Sequence, residues 1–439
     1  SFQYQNQTHR APSETALKQA LLTLGGKALI EAVEEDVHLR FAFSQGNYWI
    51  DLCDQNWKAV KINQDGWEVL DDPPVKFIRT PQMRSLPEPP EEGDITPLWD
   101  IVNIPDESRL LVLAWMIECY RSNTPFPLLE ITGEQGSAKS KTQYILRELI
   151  DPNEVNLRTN PSKTEFLFIE SKNSHLVSYE NLSQLKPEFQ DALCTLATGG
   201  GASVRKLYTN HEESVIHAKN PVILNGIDNL VTAQDLLDRT LTLELKRIRK
   251  RKTEEELQTQ IEKSRPTIFT GILHLMVDAL KLVPEIKISS LKIPRMADFA
   301  ILGEAIYQVS GKEEGEFLKD YRDNRRRAII RTIESSPAIL QTIRHVEGLN
   351  GKAFYGSYAQ LLREIESYNY PDLAWPKSPK GLGSLLKRFA PSIRQLGFNV
   401  EFDQKRSMDG YKVSISQFDS ECAENITDEI EEEDTIPFE

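Results

Sequence analysis

The sequence predicts an α/β protein: a parallel sheet wrapped by helices, preceded by a small β-rich module and followed by a compact helical unit ending in a hairpin. Three observations predict this. From about residue 95 to 250, apolar strand-like runs alternate with segments of helical periodicity. Ahead of them, "VHLRFAF", "NYWIDLC", "WKAVKI" and "GWEVL" are short, aromatic and β-branched, and turn residues separate them. Behind them, residues 337–416 combine helix caps, helical apolar spacing and a final alternating hairpin.

A chain of 439 residues exceeds one ordinary core, so two to four domains are expected. The expected units are a helical plus β-rich module with a linker (1–94), the α/β core (95–250), a helical connector (251–336), the C-terminal unit (337–416) and an acidic tail (417–439). No run approaches the ~18–20 apolar residues of a membrane span, so no membrane partner is expected. "SFQYQNQTHR" lacks the order of a secretory signal, and the absence of an initiating methionine suggests a fragment. Cys53, Cys119, Cys194 and Cys422 are scattered without zinc-ligand spacing, which fits a reducing, cytoplasmic setting. The net charge of −14 argues against a general nucleic-acid binder. Residues 417–439, however, hold ten acidic and no basic residues, so the rest of the chain carries only −4 and leaves room for local basic patches. The closing "EEEDTIPFE" resembles the acidic tip of bacterial single-stranded-DNA-binding proteins, with Glu439 departing from that pattern. A disordered solubility tail is the plainer reading.

In chain order, "PSETALKQALLTLGGKALIEAV" (12–33) is helical, residues 37–80 form the β-rich module, and "LPEPPEEGD" (86–94) reads as a linker. The helix "SRLLVLAWMIECYRS" then leads to the strand "PLLEIT". A loop at 133–140, a helix, the strand "SHLVSYE", the helix "KPEFQDALCTLAT" and the strand "NPVILNG" follow. Residues 253–330 are mostly helical, and no internal repeat is present.

The stretch "LLEITGEQGSAKSKTQYILREL" (128–149) has the parts of a phosphate-binding loop. Such a loop follows a buried strand, turns backbone N–H groups toward an anion and opens a helix whose N-terminus is electropositive. The loop comprises Gly133, Glu134, Gln135, Gly136, Ser137, Ala138, Lys139, Ser140 and Lys141. Gly133 and Gly136 permit the tight backbone, Lys139 would reach the β- and γ-phosphates of ATP, and Ser140 would place its hydroxyl on Mg²⁺. Ala138 stands where glycine is usual and is expected to cost little if its φ is negative. Glu180 ends the strand "HLVSYEN" and is the candidate carboxylate for Mg²⁺-bound or attacking water, a surface glutamate being the bland alternative. Asn225 ends "NPVILNGID" and could orient that water. Arg239 lies fourteen residues on and could reach a neighbouring subunit's site.

These stretches, with "LCTLATGGGASVRKLYTNHEE" and "RMADFA", resemble superfamily 3 helicase-type AAA+ ATPases, in the branch found in phage, plasmid and integrative-element replication proteins. The resemblance is good over 95–330 and looser over 30–95 and 337–416. It implies a P-loop AAA+ core with Glu180 as the Walker B acid, Asn225 as sensor 1 and Arg239 as the arginine finger. It also implies a hexameric ring, and in some relatives an upstream primase–polymerase module. That branch carries Asp-Asn where this chain has Glu180-Asn181.

The same resemblance implies a pore hairpin at 202–219, with "VRKLY" and "SVIHA" as arms and "TNHEE" as tip. Arg205, Lys206, Tyr208 and His211 are its candidates for single-strand contact. A structural hairpin at a subunit interface is the alternative, and "KRIRKRK" (246–252) is a second basic run. Residues 337–416 read as a winged helix. Ser357 and Ser378 cap two helices, Pro379 sits at N1, and Leu382, Leu385, Leu386 and Phe389 would face the core. Lys380, Lys387, Arg388 and Arg394 fall mostly off that face, and Lys405 and Arg406 lie near the tip of the wing. The expected function is an ATP-driven DNA helicase motor of a mobile element. The alternative is a DNA-binding AAA+ switch that does not unwind, such as an initiator, loader, transposition or defence component. A transcription regulator using the winged helix alone is a third, and the intact loop argues against it.

Overall fold

In a computed structural model of the chain, placement is described for residues 4–6, 9–31, 33–205, 213–227, 229–248, 252–289, 293–366, 375–405 and 410–418. Helix α1 (Glu14–Glu31) buries none of its residues. A parallel pair, β1 (Val37–His38) and β6 (Lys76–Phe77), brackets an antiparallel meander of β2 (Phe41–Ser44), β3 (Asn47–Asp51), β4 (Ala59–Asn63) and β5 (Gly66–Leu70). The β2–β3 turn places Gln45 and Gly46 both at positive φ, the twist a two-residue hairpin requires.

The segment 86–94 is packed rather than free. Arg265 donates to the Ser85 carbonyl (2.8 Å), Thr270 Oγ1 to the Pro90 carbonyl (3.1 Å) and the Asp94 N–H to the Thr267 carbonyl (3.0 Å). Its prolines suit this role, because an extended chain that donates few hydrogen bonds can lie along a helix already satisfied internally.

The short α2 (Leu98–Ile101) and α3 (Arg109–Glu118) lead into β7 (Leu128–Thr132), α4 (Lys139–Ile150), α5 (Thr164–Ser171), β8 (Val177–Leu182) and α6 (Pro187–Thr198). Then come an antiparallel hairpin of β9 (Gly200–Arg205) and β10 (Glu213–Ala218), β11 (Val222–Gly226), the single turn α7 (Gln234–Leu237) and β12 (Thr240–Glu244). The central sheet has the order β12-β7-β11-β8, all parallel, and a bridge from Arg158 to Tyr179 continues it past β8. Both faces are covered, so its strands read as continuous apolar runs. Successive side chains alternate between two cores. Leu129, Ile131, Ile223, Leu241 and Leu243 face α3, α4 and the helices that follow the sheet, whereas Leu128, Val177, Tyr179, Val222 and Leu224 face α5 and α6.

Helices α8 (Glu254–Leu282), α9 (Ala297–Val309) and α10 (Glu316–Glu334) close the first of these cores. With the turn after it, α8 is long and apolar enough to cross a membrane by composition, but half of that stretch is buried against α9 and the β2–β5 sheet. The helix α10 contributes Phe317 and Tyr321 to the first core, Ala328 to the second, and Ile329 and Ile333 to a third. That third core belongs to the C-terminal unit, made of α11 (Pro337–Gly348), β13 (Ala353–Ser357), α12 (Tyr358–Ile365), α13 (Pro379–Gln395), β14 (Phe398–Phe402) and β15 (Lys412–Gln417). Its strands pair antiparallel in the order β13-β15-β14. Ser357 and Ser378 accept from the Gln360 and Gly381 N–H groups, as their capping sequences dictate. In α13, Leu382, Leu386, Phe389 and Ile393 are buried, while Leu385, expected inside, is only half-buried at the rim.

The meander is bolted to the central sheet by one cation. Arg40 is fully buried, with Nε 3.0 Å from Asp151 Oδ1 and its other nitrogens on the carbonyls of Asp51 (3.2 Å), Arg84 (2.7 Å) and Pro152 (3.3 Å). Asp151 closes the C-terminal end of α4. Burial alone would raise its carboxyl, but Arg40, Arg147, His175 and the Leu176 N–H together draw it below the usual carboxylate range. Replacing Arg40 by methionine leaves a buried carboxylate without its closest partner and should cost about 3–5 kcal/mol in urea unfolding.

His175, buried between Phe41 and Phe126, holds its Nε2 2.7 Å from the Cys119 carbonyl oxygen. Desolvation lowers its pKa from 6.5 to about 4. The folded state therefore resists a proton that the unfolded state accepts, so stability is full above the unfolded value and falls as pH drops from 6.5 toward 4. The loss should reach roughly 3 kcal/mol at the bottom of that window, and His175→Gln should flatten it in unfolding measurements made across the range.

Candidate functional site

The carboxyl edge of the central sheet gathers most of the residues singled out from the sequence. Register fixes this placement: Asn225 pairs with Ile131, two residues before Gly133, and Leu224 pairs with Tyr179, the residue before Glu180. The loop 133–138 runs from the tip of β7 into α4. Gly133 takes φ 142°, and a Cβ there would lie 2.4 Å from the Leu245 carbonyl oxygen, so only glycine fits. Gly136 takes φ 86°. Ala138 takes φ 60° and ψ 31°, the left-handed region, which corrects the expectation of a negative φ. The turn into α4 demands that conformation whatever residue fills it, and alanine bears a cost of about 1–2 kcal/mol that glycine does not.

The N-terminus of α4 receives no side-chain cap, which leaves the N–H groups of its first turn facing outward. Ser137 Oγ is buried without a hydrogen-bond partner. Lys139 folds back over the loop, donating from Nζ to the carbonyls of Gly133 (2.7 Å) and Glu134 (3.0 Å), and burial lowers its pKa. Uncapped N–H groups, an unused buried hydroxyl and a loosely parked ammonium form a donor set that suits a polyphosphate. Ser140 lies in the first turn of α4 and Glu180 at the rim of β8, so both bring oxygen donors to this edge, and among the described residues no group of three or more His, Cys, Asp or Glu side chains is gathered to hold a metal ion. Lys141 points elsewhere, pairing with Glu254 at 2.5 Å.

Glu180 and Asn181 together oppose the single residue Asn225, a bulge in β8 that sets Glu180 at the rim. Asn181 absorbs it at φ 53°, a conformation asparagine tolerates well, and its N–H donates to Asn225 Oδ1 (2.9 Å). The Asn225 side chain is fully buried, and its Nδ2 donates to Gln143 Oε1 (2.6 Å). Gln143, one turn after Lys139 on α4, in turn donates from Nε2 to Ser178 Oγ (2.9 Å) and to the Tyr179 carbonyl (3.1 Å). Asn225 thus braces the edge from within.

Sequence reasoning missed Gln143, Glu130 and Asn103. Glu130 is buried in the middle of β7, where its Oε1 accepts the N–H groups of Leu230 (2.7 Å) and Val231 (3.0 Å), fixing the chain that leaves Asn225. Burial raises its pKa. Asn103 donates to the carbonyls of Ser137 (2.9 Å) and Lys246 (2.6 Å), clasping the loop between the segments before and after the sheet. A charged residue in the middle of a buried strand was the available signal for Glu130; the other two carry no local pattern.

Arg239 lies at the opposite edge. It immediately precedes β12, and its carbonyl accepts the N–H of Leu128, the first residue of β7. Its side chain is 10% exposed, with Nη1 2.6 Å from Asp235 Oδ1. Of the hairpin candidates, Arg205 ends β9, and Lys206, Tyr208 and His211 lie outside the described residues. The first arm begins at Gly200, earlier than "VRKLY", and its partner is Ala218. In the C-terminal unit Lys380, Lys387 and Arg388 are exposed along α13 and Lys405 is exposed after β14, whereas Arg406 lies outside the described residues.

The fold and this edge define an α/β protein with a glycine-turned loop running from the tip of a central parallel strand into an uncapped helix. Residues 95–324 match the family described as the actinomycete integrative conjugative element replication protein, and residues 337–422 match the AICE RepA C-terminal domain. The chain belongs to this replication-protein family. No curated protein matches it. Among solved structures it is similar to one described as SCCmec type IV Cch, active helicase (TM-score 0.45, 13% identity, 96% of this chain and 86% of that one). It is also similar to the NrS-1 C-terminal region (0.41, 14%, 93% and 92%) and to JCV helicase (0.24, 13%, 51% and 60%).

The strained alanine yields a direct test. Ala138→Gly should raise unfolding free energy by about 0.5–1 kcal/mol, because relief of the left-handed strain exceeds the added entropy of the unfolded chain. A urea titration reads the sign, and a loss of stability would place the strain elsewhere.

Proposed function

We propose that this replication protein is an ATP-driven DNA helicase motor. The observation that carries the reading is the uncapped N-terminus of α4 behind Gly133–Ala138, with Lys139, Ser140, Glu180 and Asn225 at the same sheet edge. In this reading the core is a P-loop AAA+ unit of superfamily 3 type, with 251–336 as its helical connector, and 337–416 is a winged helix. The loop N–H groups and Lys139 hold the phosphates of ATP. Ser140 and Glu180 hold Mg²⁺, which when bound neutralises phosphate charge. In this reading Glu180 orients and deprotonates an attacking water, and Asn225 keeps that carboxylate in register through Asn181 and Gln143.

The opposite sheet edge, where Arg239 lies, faces the nucleotide of the next subunit in a ring, which we propose to be hexameric. The β9–β10 hairpin meets one DNA strand with Arg205, Lys206, Tyr208 and His211. The exposed Lys380, Lys387 and Arg388 on α13, with Lys405 and Arg406, meet duplex phosphates. An upstream primase–polymerase module would supply the primer for the strand so exposed.

The test is ATP-dependent separation of a forked duplex by purified protein. Lys139→Ala should lower kcat for ATP about 10²-fold or more and abolish strand separation, since its ammonium is a phosphate donor. DNA-stimulated hydrolysis without strand separation would instead identify a DNA-binding switch. The exposed basic face of α13 would serve that role without a translocating hairpin.

A further inference from the structure

Arg239 was named from the sequence as the cation offered to a neighbouring subunit, but its side chain is committed inward. Nη1 contacts both Asp235 Oδ1 (2.6 Å) and the Asp235 carbonyl oxygen (2.5 Å), and its Nε is buried without a partner. Bringing the guanidinium out would break both contacts at once.

A second arginine shares the same carboxylate oxygen. Arg295, two residues before α9, holds Nη2 2.7 Å from Asp235 Oδ1, and its side chain is 48% exposed. One carboxylate thus faces two guanidiniums and neutralises one of them. Asp238, a turn further along, gives no relief, because Arg325 already occupies it at 2.6 Å. An unbalanced, outward-facing guanidinium held at one nitrogen keeps its remaining donors available for an anion.

Geometry excludes this chain's own loop as the target. Arg239 and Asp235 sit at the amino edge of the sheet and Gly133 at its carboxyl edge. A five-residue strand separates them by about 16 Å, beyond the reach of an arginine side chain. An anion met by Arg295 therefore comes from another molecule.

We propose that Arg295 is the residue this chain inserts into the nucleotide site of a neighbouring copy, and that Arg239 and Asp235 are its positioning residues. The proposal rests on the ring-ATPase reading above. It also gives Glu130 a purpose. By clamping Leu230 and Val231, Glu130 fixes the short chain between Asn225 and α7, so the state of one site is transmitted to the Asp235 that steers Arg295 into the next.

The experiment compares Arg295→Ala, Arg295→Lys and Arg239→Ala in the full chain. Arg295→Ala should lower kcat for ATP by about 10³-fold while leaving the nucleotide dissociation constant and Tm unchanged. Arg295→Lys should not restore it, because an ammonium cannot reproduce the planar fork. Co-expression of Arg295→Ala with Lys139→Ala under separate tags should recover activity, at about a quarter of interfaces for random assembly, since each copy supplies what the other lacks. Normal kcat in Arg295→Ala overturns the proposal. So does a lost kcat that mixed assemblies fail to recover, which would mark a purely structural ion pair. Loss of kcat in Arg239→Ala at unchanged Tm, with normal kcat in Arg295→Ala, returns the role to Arg239 and equally overturns it. Wild-type protein that hydrolyses no ATP would overturn the ring-ATPase reading itself, a failure distinct from all of these.

Discussion

The site depends on one buried contact, the 2.6 Å hydrogen bond between the side-chain amides of Gln143 and Asn225. Through it the helix that follows the loop is held to the tips of two strands, β8 and β11. Every polar atom of the pair that the edge needs is engaged. Asn225 Oδ1 takes the N–H of the bulged Asn181, and Gln143 Nε2 reaches Ser178 and Tyr179. Inside a low-dielectric interior such a network is rigid when complete and costly when broken, because each amide left over would be buried unsatisfied. The bulge that presents Glu180 is therefore held by chemistry rather than by strand pairing, which fails at that point.

Around this centre the structure uses charge as a fastener. Arg40 joins the β2–β5 meander to the far end of α4, and its partner Asp151 also accepts the Leu176 N–H just ahead of β8. The two ends of α4 thus have different duties. The N-terminal end is left without a side-chain cap, and the C-terminal end is closed by a buried ion pair. A helix anchored at its tail and free at its head presents its dipole to whatever binds the loop.

Much of this was legible in the sequence where a local rule governs. The strand, loop and helix at 128–150 follow from an apolar run, two glycines and helical spacing. The caps at Ser357 and Ser378 follow from the residues themselves. What was not legible depends on residues far apart in the chain. Nothing near Gly93 announces that 86–94 lies along α8, and the prolines that suggested a linker fit a packed extended segment equally well. The strand β13 was missed because five residues with glycine inside them carry too little pattern, and only pairing with β15 makes them a strand. The positive φ of Ala138 was missed because alanine does not advertise it. The sharing of Asp235 between Arg239 and Arg295 joins positions that no periodicity relates.

The helix α10 runs through all three hydrophobic cores, giving aromatic side chains to the first, Ala328 to the second, and Ile329 and Ile333 to the last. Its Asn324 also answers both the N–H and the carbonyl of Thr242 on the outer strand β12, sealing that sheet margin. A rod threaded through successive bodies makes them melt as one. Amide hydrogens in the C-terminal unit would then exchange by the same global opening that releases those of the central sheet, and force applied at one end of the molecule would reach the other without a hinge to absorb it.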